Sequence, residues 1–281
     1  MKHLIISMLA LLGLPLWLHA QADKTIPEAV DLGLSVKWAD RNVGALEPAE
    51  PGNLYAWGEV LPKEDYSWMS YKWTHPSYQS PYFFGYRFEK YIPNETDSWI
   101  TDPRYQEGDY SGFEVSVFVD RDRTYWTNTK RDGLTRLKAS DDAASMNINA
   151  QWRTPTAKEW EELMDNCTFV LTDVPGILGF KLTSKKNGNS IFLPVTGRGE
   201  GTMKPIPGFQ SGYFHSLEGE QLAQTRGYYW SSDVFVGNYA DVTDKYTCRA
   251  ARYFYFNAAG TYDLWYLFRF FGLAVRPVLD N

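Results

Sequence analysis

"TPTAKEWEELMDN", residues 154–166, is the segment from which the fold can be read. Thr156 and Glu159 stand at the T-x-x-E spacing. There a threonine hydroxyl accepts from the N–H three residues on, while the glutamate reaches back to the threonine N–H. Trp160, Leu163 and Met164 follow at i, i+3 and i+4, so one face is apolar. The spacing predicts an amphipathic helix that drives a tryptophan into a core.

A second helix is predicted over "SDDAASMNINA" (140–150), where Ser140, Asp141 and Asp142 suit the cap and the first turn. The rest of the chain favours short strands: Gly and Pro are scattered, apolar runs are brief and aromatic residues are frequent. "GFKLTS" and "SIFLPV" flank "KKNGN", whose Asn187-Gly188 pair predicts a type I′ hairpin. "YYWSSD" and "ARYFYFN" read as strands, "NAAG" as a turn and "GLAVRPV" as a closing strand with Leu273, Val275 and Pro277 on one face. Upstream, "AVDLGLSVKWADRNVGA" and "GNLYAWGEV" read as strands and turns. From about Tyr66 to Lys138 a loop-rich, aromatic insertion holds one expected hairpin, "FEVSVFV" to "TYWTNT". The two helices among many short strands predict an α+β class.

Residues 1–22 read as a signal peptide: Lys2 and His3, an apolar run from Leu4 to Leu18, then the small residues of "HAQA". The run is shorter than the roughly 20 residues of a membrane span, and Pro15 interrupts it. Cleavage after Ala20 or Ala22 leaves no cysteine for a lipid anchor, so the expected product is exported and not inserted in a membrane. Residues 23–281 are then expected as a single domain, since no repeat and no linker divides them. Removing Lys2 takes the formal net charge from −6 to −7, a mild acidity that argues against nucleic acid as a partner. Cys167 and Cys248 are the only cysteines. Export permits them to pair, and the sequence leaves a bridge and two buried thiols equally open.

The ordered series "VDLGLSVKWA", "NVGA", "YAWGEV", "YKW", "DDAA", "WRTPTAKEWEEL", "GFKLTSKKNGNSIFLPVTG", "YYWSSD", "YFYFN" and "GLAVRPV" resembles the Fibrobacter succinogenes major paralogous domain family of secreted proteins common in Bacteroidetes. The resemblance spans most of residues 28–279 outside the insertion. "WRTPTAKEWEEL" also resembles the "RLPTEAEWE" helix start of formylglycine-generating-enzyme-type proteins, and "GLAVRPV" their closing strand. Both resemblances imply a C-type-lectin-like fold: two helices on small twisted antiparallel sheets, terminal strands paired, and long loops carrying function. Relatives often carry a cysteine where this chain has Arg41. If that cysteine normally pairs with the counterpart of Cys167, Cys167 here is either free or bonded to Cys248.

Catalysis has little to draw on. Beyond the signal segment the only histidines are His75 and His215, and no carboxylate pair is marked by spacing as a glycosidase acid and nucleophile. Formylglycine-generating chemistry needs a reactive cysteine pair, and the "RGGSW" segment of those enzymes is missing. Asp141-Asp142, and Asp241 with Asp244, offer oxygens for a cation. A helix start and a solvated loop account for them equally well, so no metal site and no cofactor is expected. The sequons at Asn94 and Asn166 fall in a bacterial family context and carry no expected glycan.

What stands out is "TYDLWYLFRFFGLAVRPV" (261–278). Six of the ten residues from Tyr262 to Phe271 are aromatic. In relatives they correspond to a loop, and loops run over surfaces. Either the rings pack beneath the insertion or they contact a ligand. Clustered exposed rings mark interaction surfaces, and Tyr and Trp combine contact area with a polar handle. The expected ligand is a glycan or an extracellular protein surface. The expected contact set is Phe235, Tyr239, Arg252, Tyr255, Asp263, Trp265, Tyr266, Phe268 and Phe270, with Arg252 and Asp263 giving directional hydrogen bonds. The same scaffold is used by the variable proteins of diversity-generating retroelements, which randomise residues near the C-terminus; the alternation of scaffold pieces with idiosyncratic residues here fits that alternative.

Overall fold

A computed structural model describes residues 26–67, 70–80, 83–93, 114–120, 123–129, 132–202, 225–235 and 250–281, with the backbone alone at 75–80, 83–88, 114–120, 123–129 and 202. The expected signal peptide, Asn94, His215, Tyr239, Asp241, Asp244 and Cys248 lie outside the described residues.

The chain opens with β1 (Ala29–Val30), β2 (Val36–Ala39), β3 (Tyr55–Ala56) and β4 (Asp65–Tyr66). Within the aromatic insertion follow β5 (Thr74–Ser80), β6 (Phe83–Phe88), β7 (Glu114–Asp120) and β8 (Arg123–Thr129). Next come α1 (Ala143–Asn147), β9 (Trp152–Arg153), α2 (Ala157–Asn166), β10 (Cys167–Val174), β11 (Ile177–Ser184), β12 (Ser190–Pro194) and β13 (Gly201–Thr202). The last strands are β14 (Arg226–Val234), β15 (Ala250–Asn257), β16 (Tyr262–Phe268), β17 (Gly272–Leu273) and β18 (Val278–Asp280). Two α-helices among small antiparallel sheets make this an α+β architecture.

Both helices start where their caps place them. Thr156 Oγ1 accepts from Glu159 N at 3.2 Å, and Glu159 Oε2 accepts from Thr156 N at 2.7 Å, the complete capping box. Asp142 caps α1 by accepting from Ala144 N at 2.9 Å, and it also accepts from Thr154 N and Thr154 Oγ1, both at 2.8 Å. One aspartate thus ties the first helix to the segment leading into the second.

The four-stranded sheet runs β1-β2-β18-β9, so strands at opposite ends of the described chain pair, with Trp38 opposite Val278. The sheet β14-β15-β16 lies between two apolar clusters. On one side Tyr229, Phe254 and Phe256 pack with Trp38 and Trp160. On the other Tyr228, Trp230 and Tyr253 pack with Trp57, Tyr91 and Phe271. Gly227 is required there: a Cβ would lie 2.1 Å from the Phe256 ring.

Four expectations are corrected. Residues 262–268 are no loop: β16 pairs with β15 from Phe256↔Tyr262 to Ala250↔Phe268. The "NAAG" turn is the tip of this hairpin, with Asn257 Oδ1 accepting from Ala259 N and Thr261 N and Gly260 at φ 85°. Asn187-Gly188 does not form a type I′ turn, because only Gly188 takes positive φ. Ser184 Oγ instead accepts from Lys186 N at 3.0 Å, and Lys185 N donates to Asn166 O at 2.8 Å, which draws the hairpin tip into a longer loop against the end of α2. The closing segment has no single inward face, since every residue from Phe271 to Val278 is buried. The insertion carries two hairpins: β7-β8 as expected, and β5-β6 besides.

The capping box also fixes an acid dependence. Burial alone would raise the Glu159 pKa, but Arg153 binds both carboxylate oxygens (2.9 and 2.6 Å) and Thr156 N adds a third bond, so the net shift is downward. A lowered folded pKa stabilises above the unfolded value near 4.5 and is lost as pH falls through the folded one. Glu159→Gln should therefore cost about 1–2 kcal/mol near neutral pH, and urea unfolding of both proteins should show that gap closing below about pH 4.

Candidate functional site

The C-terminal hairpin carries the expected contact residues, and its register sorts them. Arg252 sits opposite Tyr266, Tyr253 opposite Trp265, Tyr255 opposite Asp263 and Phe256 opposite Tyr262. Alternation along β16 sends Tyr262, Leu264 and Tyr266 toward the α2 side and Asp263, Trp265 and Leu267 toward the other. Tyr262 stacks on Phe169 at 4.2 Å and 12°, and Leu264 joins the core cluster around Trp160. Leu267 joins the cluster around Trp57. Trp265 remains 55% exposed with exposed Asp263 beside it, and its ring lies 5.5 Å from Tyr266 at an interplanar angle of 13°.

The nine expected residues are not one surface. Phe235 is buried, with its ring 4.3 Å from Tyr266 and the Arg252 guanidinium 5.9 Å away, so these three form a packed corner. Tyr255 is half-buried, 5.3 Å from Tyr228, and its hydroxyl accepts from Asn257 Nδ2 at 3.1 Å. Phe270 is half-buried and stacked 4.4 Å from Phe271. Phe268 is exposed at the end of β16, 5.9 Å from Phe270. Asp263, Trp265 and Phe268 are thus the expected residues that reach solvent on this strand. Tyr262, outside the expected set, is also exposed, but on the opposite face of β16 from Trp265 and half-stacked on Phe169. The signal for it was present: a turn flanked by two aromatic runs is a hairpin pattern, and pairing Tyr262 with Phe256 carries it to the rim.

Basic side chains border the same sheet. The Arg226 guanidinium lies 5.9 Å from the Tyr255 ring, and bonding to the Tyr228 hydroxyl raises its pKa. Arg198 lies 4.9 Å over Phe271 and pairs with Glu200 at 2.9 Å. Neither arginine was singled out in the sequence, because cross-strand neighbours are not visible in a linear pattern.

Of the carboxylates considered for a cation, Asp141 and Asp142 have other work. Asp141 is buried and accepts from Lys90 Nζ and, at 2.5 Å, from the Tyr91 hydroxyl, while Asp142 is filled by its cap bonds. Among the described residues no three His, Cys, Asp or Glu side chains converge as a metal site would require, and no helix is long and apolar enough to cross a membrane. A groove of about 640 Å³ lies between β1 and the outer face of β10-β11-β12, lined by Glu28, Asp31, Asp40, Thr172, Lys181 and Phe192 and by no residue of the C-terminal hairpin.

Comparison with family models, with curated proteins and with solved structures finds no match.

Cys167 is a buried free thiol, and Cys248 lies outside the described residues. Burial pushes its pKa up to about 11, against a smaller opposing effect of Lys185 and Lys186. A thiol of this kind is a poor nucleophile near neutral pH. In a Cys248→Ser variant, where Cys167 is the sole thiol, an aromatic disulfide reagent near pH ~8 should release colour only after denaturant is added. Rapid reaction of the native protein would contradict this placement.

Proposed function

We propose that this chain is an exported, non-catalytic binding protein on a C-type-lectin-like scaffold, and that it holds a glycan or a protein surface through the aromatic residues of its C-terminal hairpin. The scaffold reading draws on the pairing of β2 with β18 and on two helices packed among small sheets. The observation that carries the binding reading is the distribution of exposed rings. Among the residues whose side chains are described, the exposed aromatic side chains are Tyr262, Trp265 and Phe268, and all three lie on β16.

An exposed tryptophan costs solvation free energy without stabilising the fold, so its placement calls for a partner. Here its backbone is fixed by pairing with Tyr253 in a buried strand, so little ordering entropy would be lost on contact. Trp265 offers a flat face for a sugar ring or a pocket-filling anchor for a protein, and Asp263 supplies a fixed acceptor next to it.

Glycan arrays together with capture from host and bacterial surface extracts should yield a ligand. With that ligand in hand, Trp265→Ala should weaken binding by about 2 kcal/mol or more, roughly 30-fold. Its melting temperature should stay within about 2 °C of the parent, since an exposed side chain is removed. A large loss of stability with binding unchanged would assign the ring to packing and end this reading.

A further inference from the structure

A second surface of the molecule is unpaired in a different way. β10 is the outer strand of β10-β11-β12, and its eight residues pair with β11 without a bulge, from Cys167↔Ser184 to Val174↔Ile177. The bond from Lys185 N to Asn166 O fixes the parity of this ladder: even-numbered residues of β10 turn their N–H and C=O toward β11. The backbone groups of Phe169 and Leu171 therefore point away from the sheet, and among the described residues nothing takes them up.

Edges of this kind are normally blunted by lysine, proline, a bulge or a covering element. The run Thr168-Phe169-Val170-Leu171-Thr172 contains no charge and no proline, Val170 is 56% exposed and Leu171 is exposed as well. The same five residues read alike in both directions: Thr, a large apolar residue, Val, a large apolar residue, Thr. Laid antiparallel on itself about Val170, the strand sets Thr168 opposite Thr172, Phe169 opposite Leu171 and Val170 opposite Val170. That register is also the one in which the outward N–H and C=O groups of Phe169 and Leu171 meet as hydrogen-bonded pairs.

Charge agrees with the pairing. One residue further out, Asp173 falls opposite Cys167 of the second copy, at the end of the ladder where Lys185 N bonds Asn166 O and Lys186 pairs with Glu162. The net charge of −6, which opposes self-association elsewhere, is locally absent from Thr168 to Thr172.

We infer that β10 pairs with β10 of a second copy of this chain across a two-fold axis, joining two three-stranded sheets into one of six. The contact is isologous and closes on itself, so it stops at a dimer. The pairing rests on none of the observations that support ligand capture by the C-terminal hairpin.

Sedimentation velocity on the full chain over a micromolar concentration series should show a reversible monomer–dimer equilibrium. Val170→Lys places two ammonium groups face to face at the axis and should raise the dissociation constant at least about 30-fold; Val170→Glu should do the same with carboxylates. At concentrations where the parent is monomeric, both variants should keep its melting temperature and circular dichroism, because the side chain replaced is exposed in the monomer. An equimolar mixture of the two should dimerise again, since Lys then faces Glu. A wild-type chain that stays monomeric throughout, a dimer indifferent to both variants, or a mixture that remains monomeric would each overturn the inference.

Discussion

Trp160 is the contact on which the architecture turns. Its ring stacks on Phe254 at 4.6 Å and 4°, meets Trp38 edge-on at 4.7 Å, and its indole N–H donates to Trp230 O at 3.3 Å. Those three partners belong to β15, β2 and β14, so one helical side chain joins the sheet at the chain's ends to the sheet that carries the exposed rings. Offset and edge-on aromatic pairs add about 0.5–1.5 kcal/mol each beyond the area they bury. The capping box matters through this ring: it sets where α2 begins and therefore which way position 160 points. Arg153 extends the constraint by bonding both Glu159 and Asp280, tying the helix start to the last strand.

Buried cations do the rest of the stitching, and they do it through carbonyls. Arg276 is fully buried and donates to Asn42 Oδ1, Ala39 O and Phe192 O, linking the turn after β2 to β12, and burial lowers its pKa to about 10. Arg269 is equally buried, donates to Tyr91 O and Lys90 O, and lies 5.4 Å from both the Trp57 and Tyr71 rings. Guanidinium suits this work because its donors fan out in a plane and reach several acceptors at once. Taking such a charge out of water is costly, so the groups that satisfy it are fixed with it. Arg269 stands one residue after β16 and anchors the end of that strand to the segment that follows β6 within the insertion.

These anchors explain why an aromatic strand can stand partly in water without collapsing inward. Tyr262, Leu264 and Tyr266 spend one side of β16 on packing, and Arg269 and Phe271 hold its end, which leaves Trp265 no room inside. The outer strand β10 reaches the same state by another route. Its Phe169 packs against Phe254 and Tyr262, while Val170, on the opposite face, is left outside by the same pleat. Both exposed apolar surfaces follow from alternation along a strand whose other face is already filled.

Much of this was legible in the chain itself. The T-x-x-E box and the apolar spacing behind it located α2, Asp142 located α1, and the turn residues located most strand ends, because caps and turns are satisfied by neighbours in sequence. The ring-rich stretch 262–271 was visible as unusual, yet its conformation was not, since strand formation there depends on a partner strand several residues away and on Phe169 from another sheet. Asn187-Gly188 failed in the opposite sense: the local signal for a tight turn was overridden by bonds from Ser184 and Asn166. Sequence alone determined the two helices, many of the short strands, and that aromatic residues gather near the C-terminus. Tertiary structure alone decided which rings are covered and which meet water, because that depends on what lies across the sheet, and neighbours across a sheet are distant in the chain.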